Sequence, residues 1–109
     1  MTKPREISDW GLIRELHENP EPLIVTVVNR LDRRHAPAAR RMSELAADYD
    51  DASFRLIDVA ENPSLRRILK LRRLPGVVVY TRGTELRRWQ GHVQKRWVAS
   101  LLSAFLGRD

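Results

Sequence analysis

The chain has 109 residues, enough for one domain, with 42% hydrophobic residues and a formal net charge of +6. It contains no cysteine, which excludes disulfides, thiolate nucleophiles and cysteine-ligated metal centres. No apolar run approaches the roughly 20 residues of a membrane-spanning helix. No apolar signal-peptide core follows Met1-Thr2-Lys3-Pro4-Arg5-Glu6, so the reading is a single cytoplasmic domain over residues 1–109 with no membrane partner.

A short strand is weakly signalled near Pro4 to Ile7. Ser8-Asp9 can cap a first helix through Trp10, Leu12, Ile13 and Leu16, stopped by Asn19-Pro20-Glu21-Pro22. Leu23 to Val28 is a continuous run rich in β-branched residues, as expected of a strand buried on both faces. A polar loop, Asn29 to Arg34, leads to a helix from about His35 to Tyr49, with Met42, Leu45, Ala46 and Tyr49 on its apolar face. Pro37 falls in its first turn, where a missing N–H costs nothing.

Phe54 to Asp58 reads as a second inner strand, and Asn62-Pro63-Ser64 opens a third helix through Leu65, Ile68 and Leu69. Val77 to Tyr80 is a third strand, turned at Arg82-Gly83 into a fourth, Thr84 to Gln90. A last helix runs from about Val93 to Leu106, with Trp97, Leu101, Leu102 and Phe105 as its apolar stripe. Trp10, Trp89 and Trp97 are expected to supply much of the buried aromatic area. The order α-β-α-β-α-β-β-α implies parallel crossovers first and an antiparallel hairpin last. Helices should then cover both faces of a mixed sheet.

Charge is uneven. Residues 1–29 carry a net −2 and the remainder +8, including five pairs: Arg33-Arg34, Arg40-Arg41, Arg66-Arg67, Arg72-Arg73 and Arg87-Arg88. Such a balance suits anionic partners, acidic protein surfaces or nucleic acid. The plainer reading is a set of solvated faces.

The element order and its junction residues resemble the thioredoxin family over nearly the whole chain. Ile57-Asp58 with Glu61-Asn62-Pro63 resembles that family's strand end and helix start. Arg73-Leu74-Pro75-Gly76 resembles its cis-proline segment, Arg82-Gly83 with Glu85 its hairpin turn, and Gly91 its glycine after the last strand. The resemblance implies an α/β, three-layer α/β/α fold with a central mixed sheet and a cis Leu74–Pro75 bond before the third long strand. It also places Asp32-Arg33-Arg34-His35 where the family has Cys-x-x-Cys, Leu31 at its preceding tryptophan and Thr26 at its buried aspartate. Thiol–disulfide exchange needs a thiolate and a disulfide, so this domain cannot perform it alone. Leu56-Ile57-Asp58-Val59-Ala60-Glu61-Asn62-Pro63-Ser64-Leu65 is also similar to KaiB-like clock and sensor domains, which implies a signalling module as an alternative. The N-terminal helix, long first loop and regular hairpin fit the thioredoxin order better.

Asp32 and His35, at i, i+3, are an acid/base pair or part of a metal set that His92 could complete. Only two ligands are local, whereas a catalytic metal wants three protein ligands. The favoured reading makes Asp32 a helix cap and His35 an exposed replacement. The serines lack a nucleophile-elbow context and the glycines form no phosphate loop, so no catalytic residue, cofactor or metal is expected. Under the thioredoxin order Arg30, Arg33, Arg34, Arg72 and Arg73 should gather with His35, Gly91 and His92 at one end of the sheet, where α/β folds bind ligands. Arg66, Arg67, Arg87 and Arg88 read as surface charge.

The expectation is a redox-inactive adaptor or chaperone. It would take an acidic or extended protein segment on that face and on the backbone at Leu74-Pro75, as the resemblance implies. The alternative partner is nucleic acid, with the chain as an accessory subunit, although Trp89 and Trp97 read as core rather than as stacking platforms. The expected state is a monomer or a weak homo-oligomer.

Overall fold

In the computed structural model, which describes residues 5–6 and 9–107, the chain runs β1 (Arg5–Glu6), α1 (Asp9–Glu18), β2 (Leu23–Val28), a 3-10 turn (Arg33–His35) and α2 (Ala36–Ala46). It continues with β3 (Ser53–Asp58), α3 (Pro63–Ile68), β4 (Gly76–Thr81), β5 (Thr84–Gln90) and α4 (Lys95–Phe105). The proposed cap Ser8 and the strand ends Pro4 and Ile7 lie outside the described residues. Among those residues no helix is long and apolar enough to cross a membrane.

The five strands lie in the order β1-β3-β2-β4-β5. β3 runs parallel to both β1 and β2, and β4 runs antiparallel to both β2 and β5. The link through α2 is therefore a parallel crossover, whereas the link through α3 is not. A helix of six residues spans only about 9 Å, half the length of a six-residue strand. α3 thus cannot carry the chain back down the sheet. β4 starts at the end where β3 stopped, with Gly76 paired to Val27.

β2 explains the uninterrupted apolar run, since all six of its residues are buried. Leu23, Val25 and Val27 face a core shared with Leu12 of α1 and Leu65 of α3. Ile24 faces the opposite core, with Met42 and Leu45 of α2 and Val98 and Leu102 of α4. Each fully buried Val, Leu or Ile contributes about 1.5–3 kcal/mol relative to exposure. The hairpin turn places both Arg82 (φ 48°) and Gly83 (φ 82°) in the left-handed region, which matches the right-handed twist of the strands it joins.

The helical faces differ in part from the expected ones. α4 buries Val98 and Leu102, an i, i+4 stripe, and leaves Trp97 and Phe105 largely exposed. Ile13 and Ile68 also face outward. Trp89 is half-buried against the α2–α4 core, so neither it nor Trp97 supplies the fully buried aromatic area expected, and the side chain of Trp10 lies outside the described residues. α2 stops at Ala46, but Tyr49 beyond it is still buried. Its hydroxyl lies 2.6 Å from Ser103 Oγ and donates to Ala99 O at 3.2 Å, tying the loop to α4.

Thr26 stands in the middle of β2, paired with Leu56 and Val77, and is 1% exposed. Its hydroxyl has no hydrogen-bond partner among the described residues. A buried hydroxyl without a partner carries an uncompensated desolvation cost. Thr26→Val keeps the shape and removes that cost, so it is expected to stabilise the fold by about 1 kcal/mol in urea denaturation. A lower midpoint in the variant would show that the hydroxyl is paired after all.

Candidate functional site

Asn29, the last position before the 3-10 turn's approach, starts a loop held by its own polar groups. The Arg30 N–H donates to Asp58 Oδ1 at 3.2 Å, and Leu31 N–H donates to Asn29 Oδ1 at 2.9 Å. Asp58 is buried at the end of β3 and also accepts from Ala60 N–H at 3.0 Å, so one carboxylate fastens two loops at this end of the sheet. Leu31 at the loop's tip is 85% exposed.

Asp32 has extended backbone, and its side chain caps the turn by accepting from Arg34 N–H at 3.0 Å. The Arg34 guanidinium grips the same carboxylate through Nε at 3.0 Å and Nη2 at 2.7 Å. These hydrogen bonds from the Arg34 side chain and backbone hold the Asp32 carboxyl well below the usual carboxylate range, and Asp32 in turn raises Arg34. The capping half of the Asp32 reading therefore matches this geometry.

The His35 half does not. His35 is buried rather than exposed, because its Nδ1 accepts the Asn29 N–H at 2.9 Å and draws the ring beneath the loop. The remaining ring proton then belongs on Nε2, which points at Asp32 Oδ2 from 3.5 Å. Both partners of the supposed acid/base pair are committed: Nδ1 to a backbone amide, the carboxylate to a guanidinium. His92 lies edge-on to Trp97, with ring centroids 5.9 Å apart. Among the described residues no three His, Asp or Glu side chains stand together at metal-ligand spacing. The arrangement organises a loop; it presents no free base.

The expected arginines share one end of the sheet but not one surface. Arg30 and Arg33 line a cavity of about 490 Å³ with His35, Val28 and Leu56. Arg34 lines a groove of about 330 Å³ with His35, Leu74, Pro75, Gly91 and His92. Arg72 belongs to a third hollow with Arg66, Arg67 and Lys70. The Arg73 side chain lies over Gly91, its Cδ 3.7 Å from where a Cβ would stand. Sequence reading missed two contributors. Arg41 joins the groove from α2 and donates to Val93 O at 3.4 Å, and its place in the Arg40-Arg41 pair was the available signal. Asp58 was missed as the loop fastener, although an acidic residue ending a buried strand is itself a signal.

The groove's floor is main chain. The Leu74–Pro75 peptide is cis, and Gly91, at φ 85°, donates its N–H to Pro75 O at 2.8 Å. The N–H groups of Arg72 and Arg73 donate to Gln90 Oε1 at 2.7 and 3.2 Å. Between these occupied groups, the N–H and C=O of Leu74 find no hydrogen-bond partner among the described residues.

No family model matches the chain, and no curated protein matches it. Solved structures do. The crystal structure of chloroplastic thioredoxin z superposes with a TM-score of 0.85 at 22% identity, covering 98% of this chain and 97% of that one. Fasciola hepatica thioredoxin gives 0.78 at 17% identity, over 92% and 97%. A chain from the structure describing thiol resolution in yeast mitochondrial 1-Cys peroxiredoxin by the glutathione and thioredoxin systems gives 0.79 at 15% identity, over 93% and 94%. The fold is thus thioredoxin-like over nearly the whole chain, and this chain carries it without a cysteine.

The depressed Asp32 carboxyl gives a pH signature. Its folded-state value lies below the ordinary 3.8, so its contribution is complete above that value and is lost only as pH falls through the lower one. The Asp32 carboxyl ¹³C shift is expected to stay flat from neutral pH down through 3.8 in the wild type, and to titrate at a higher pH than the wild type in Arg34→Ala, which keeps the backbone N–H but loses the guanidinium. A wild-type midpoint at 3.8 would show that the clasp does not form in solution.

Proposed function

We propose that this domain is a redox-inactive binding protein, an adaptor or chaperone. It takes an extended segment of another protein, acidic in character, along the groove between Arg34-His35, Leu74-Pro75 and Gly91-His92. The observation that carries this reading is the unoccupied main-chain pair at Leu74. The N–H and C=O of one residue just before β4 offer an extended chain the same pairing that a neighbouring strand would. Main-chain pairing supplies affinity without reading sequence, so selectivity must come from the rim.

That rim is basic. Arg34 and Arg41 line the groove, Arg73 lies over Gly91 beside it, and Arg33 lines the adjoining cavity. Arg34 is neutralised by Asp32, so the charge open to a partner comes chiefly from Arg33, Arg41 and Arg73. Guanidinium forks match carboxylates bidentately. Leu31, exposed at the tip of the loop, adds one apolar contact point beside them. With no cysteine in the chain, a mixed disulfide cannot hold the partner, and binding must rest on these non-covalent contacts.

The test is co-purification from the native host with the wild type and with Arg33→Glu/Arg73→Glu, compared by quantitative mass spectrometry. Reversing two charges at the rim is expected to remove the main partner from the eluate. An unchanged partner list would overturn the reading.

A further inference from the structure

Outside the groove, the sheet end carries a second basic surface that an extended protein segment does not explain. The hollow beyond α3 has a volume of about 600 Å³ and is lined by Pro63, Arg66, Arg67, Lys70, Leu71 and Arg72. Four of the six are cations, and no carboxylate lines it.

Lys70 is held here at a cost. α3 ends in a two-bond motif in which Leu71 N–H donates to Arg66 O and Lys70 N–H to Arg67 O, each at 3.1 Å. That motif puts the residue after the cap in the left-handed region, and Lys70 sits there at φ 56°. Glycine is the residue that adopts this conformation freely; a side chain pays a steric penalty. The position therefore carries a cation where backbone geometry alone would favour none.

The main chain of the hollow is already used. Arg66 Nε and Nη2 donate to Leu71 O at 3.3 Å and Arg72 O at 3.1 Å, and Arg88 Nη1 donates to Lys70 O at 3.1 Å. The N–H groups of Lys70 and Leu71 close the helix, and that of Arg72 is held by Gln90. A peptide would find no main-chain group to pair with, in contrast to the groove at Leu74. What remains is positive charge on side chains, with Arg66 fixed in place by two carbonyls. No aromatic side chain lines the hollow, so nothing there stacks on a base.

We propose that this hollow binds the phosphodiester backbone of nucleic acid, without reading its sequence, through Arg66, Arg67, Lys70 and Arg72. Recognition by charge alone, without stacking, is the mode in which phosphates dominate.

The experiment is fluorescence anisotropy of a labelled oligothymidylate of about 12 nucleotides with the full 109-residue chain. Four phosphate contacts predict a slope of log affinity on log salt near −2.8, which is about a 50-fold loss between roughly 50 and 200 mM salt. Arg67→Ala/Lys70→Gly removes two contacts and is expected to halve the slope to about −1.4. Lys70→Gly alone should weaken binding while raising Tm, since it relieves the left-handed lysine, so a binding loss there cannot be unfolding. The control Arg40→Ala/Arg87→Ala removes the same charge elsewhere and should leave the slope unchanged.

The proposal is overturned by no binding at the low-salt end, by an equal fall of slope in the control, or by a lower Tm in Lys70→Gly. It is also overturned if labelled polyglutamate of the same length binds this surface more tightly than the oligonucleotide, which would make it an acidic-protein site.

Discussion

The structure hangs on the burial of β2 from both sides. Its odd residues pack under α1 and α3, its even residues under α2 and α4, and both of its edges are paired, to β3 and β4. A strand with no exposed face cannot shift register without moving side chains into the wrong core. Every loop of the candidate site is positioned from this strand. The Asn29–His35 loop leaves its end, Asp58 ends the strand beside it, and Gly76, paired to Val27, sets where Leu74 and Pro75 stand.

At the end of β2, polar side chains organise the loop. The positions that the thioredoxin resemblance gives to two thiols hold an aspartate and a histidine, and both are engaged by neighbours two to six residues away. Their hydrogen bonds shape the loop and cap its turn. The same economy governs the loop before β4, where Gln90 and Arg66 occupy the main chain of residues 71–73 and leave Leu74 open. The two proposed surfaces differ in this respect: one offers main chain with charge at its rim, the other only charge.

Much of this was legible in the residues. The extents of β2 and β5 match the sequence reading residue for residue, because a run of buried β-branched residues and a strand following an Arg-Gly turn are strong local signals. The Asp32 cap was legible for the same reason: an Asx cap is a contact over two residues. Ile13, Ile68, Trp97 and Phe105 were misplaced because helical periodicity gives a stripe but not its rotation against the sheet. His35 was misplaced because its burial depends on an amide six residues earlier, which the spacing of charged residues does not reveal.

The sequence by itself determined the order of elements, the absence of thiol chemistry and the excess of positive charge, since each follows from local composition and periodicity. Only the tertiary structure decided how that charge is divided. Arg34 is paired with Asp32 and Arg88 with Glu85, whereas Arg66 is fixed by two carbonyls that leave its charge uncompensated. Arg72 and Arg73, adjacent in the chain, serve different surfaces, because one lines the hollow beyond α3 and the other covers Gly91. Neighbouring residues in an irregular loop project in directions set by the elements packed around it, and no local pattern encodes that.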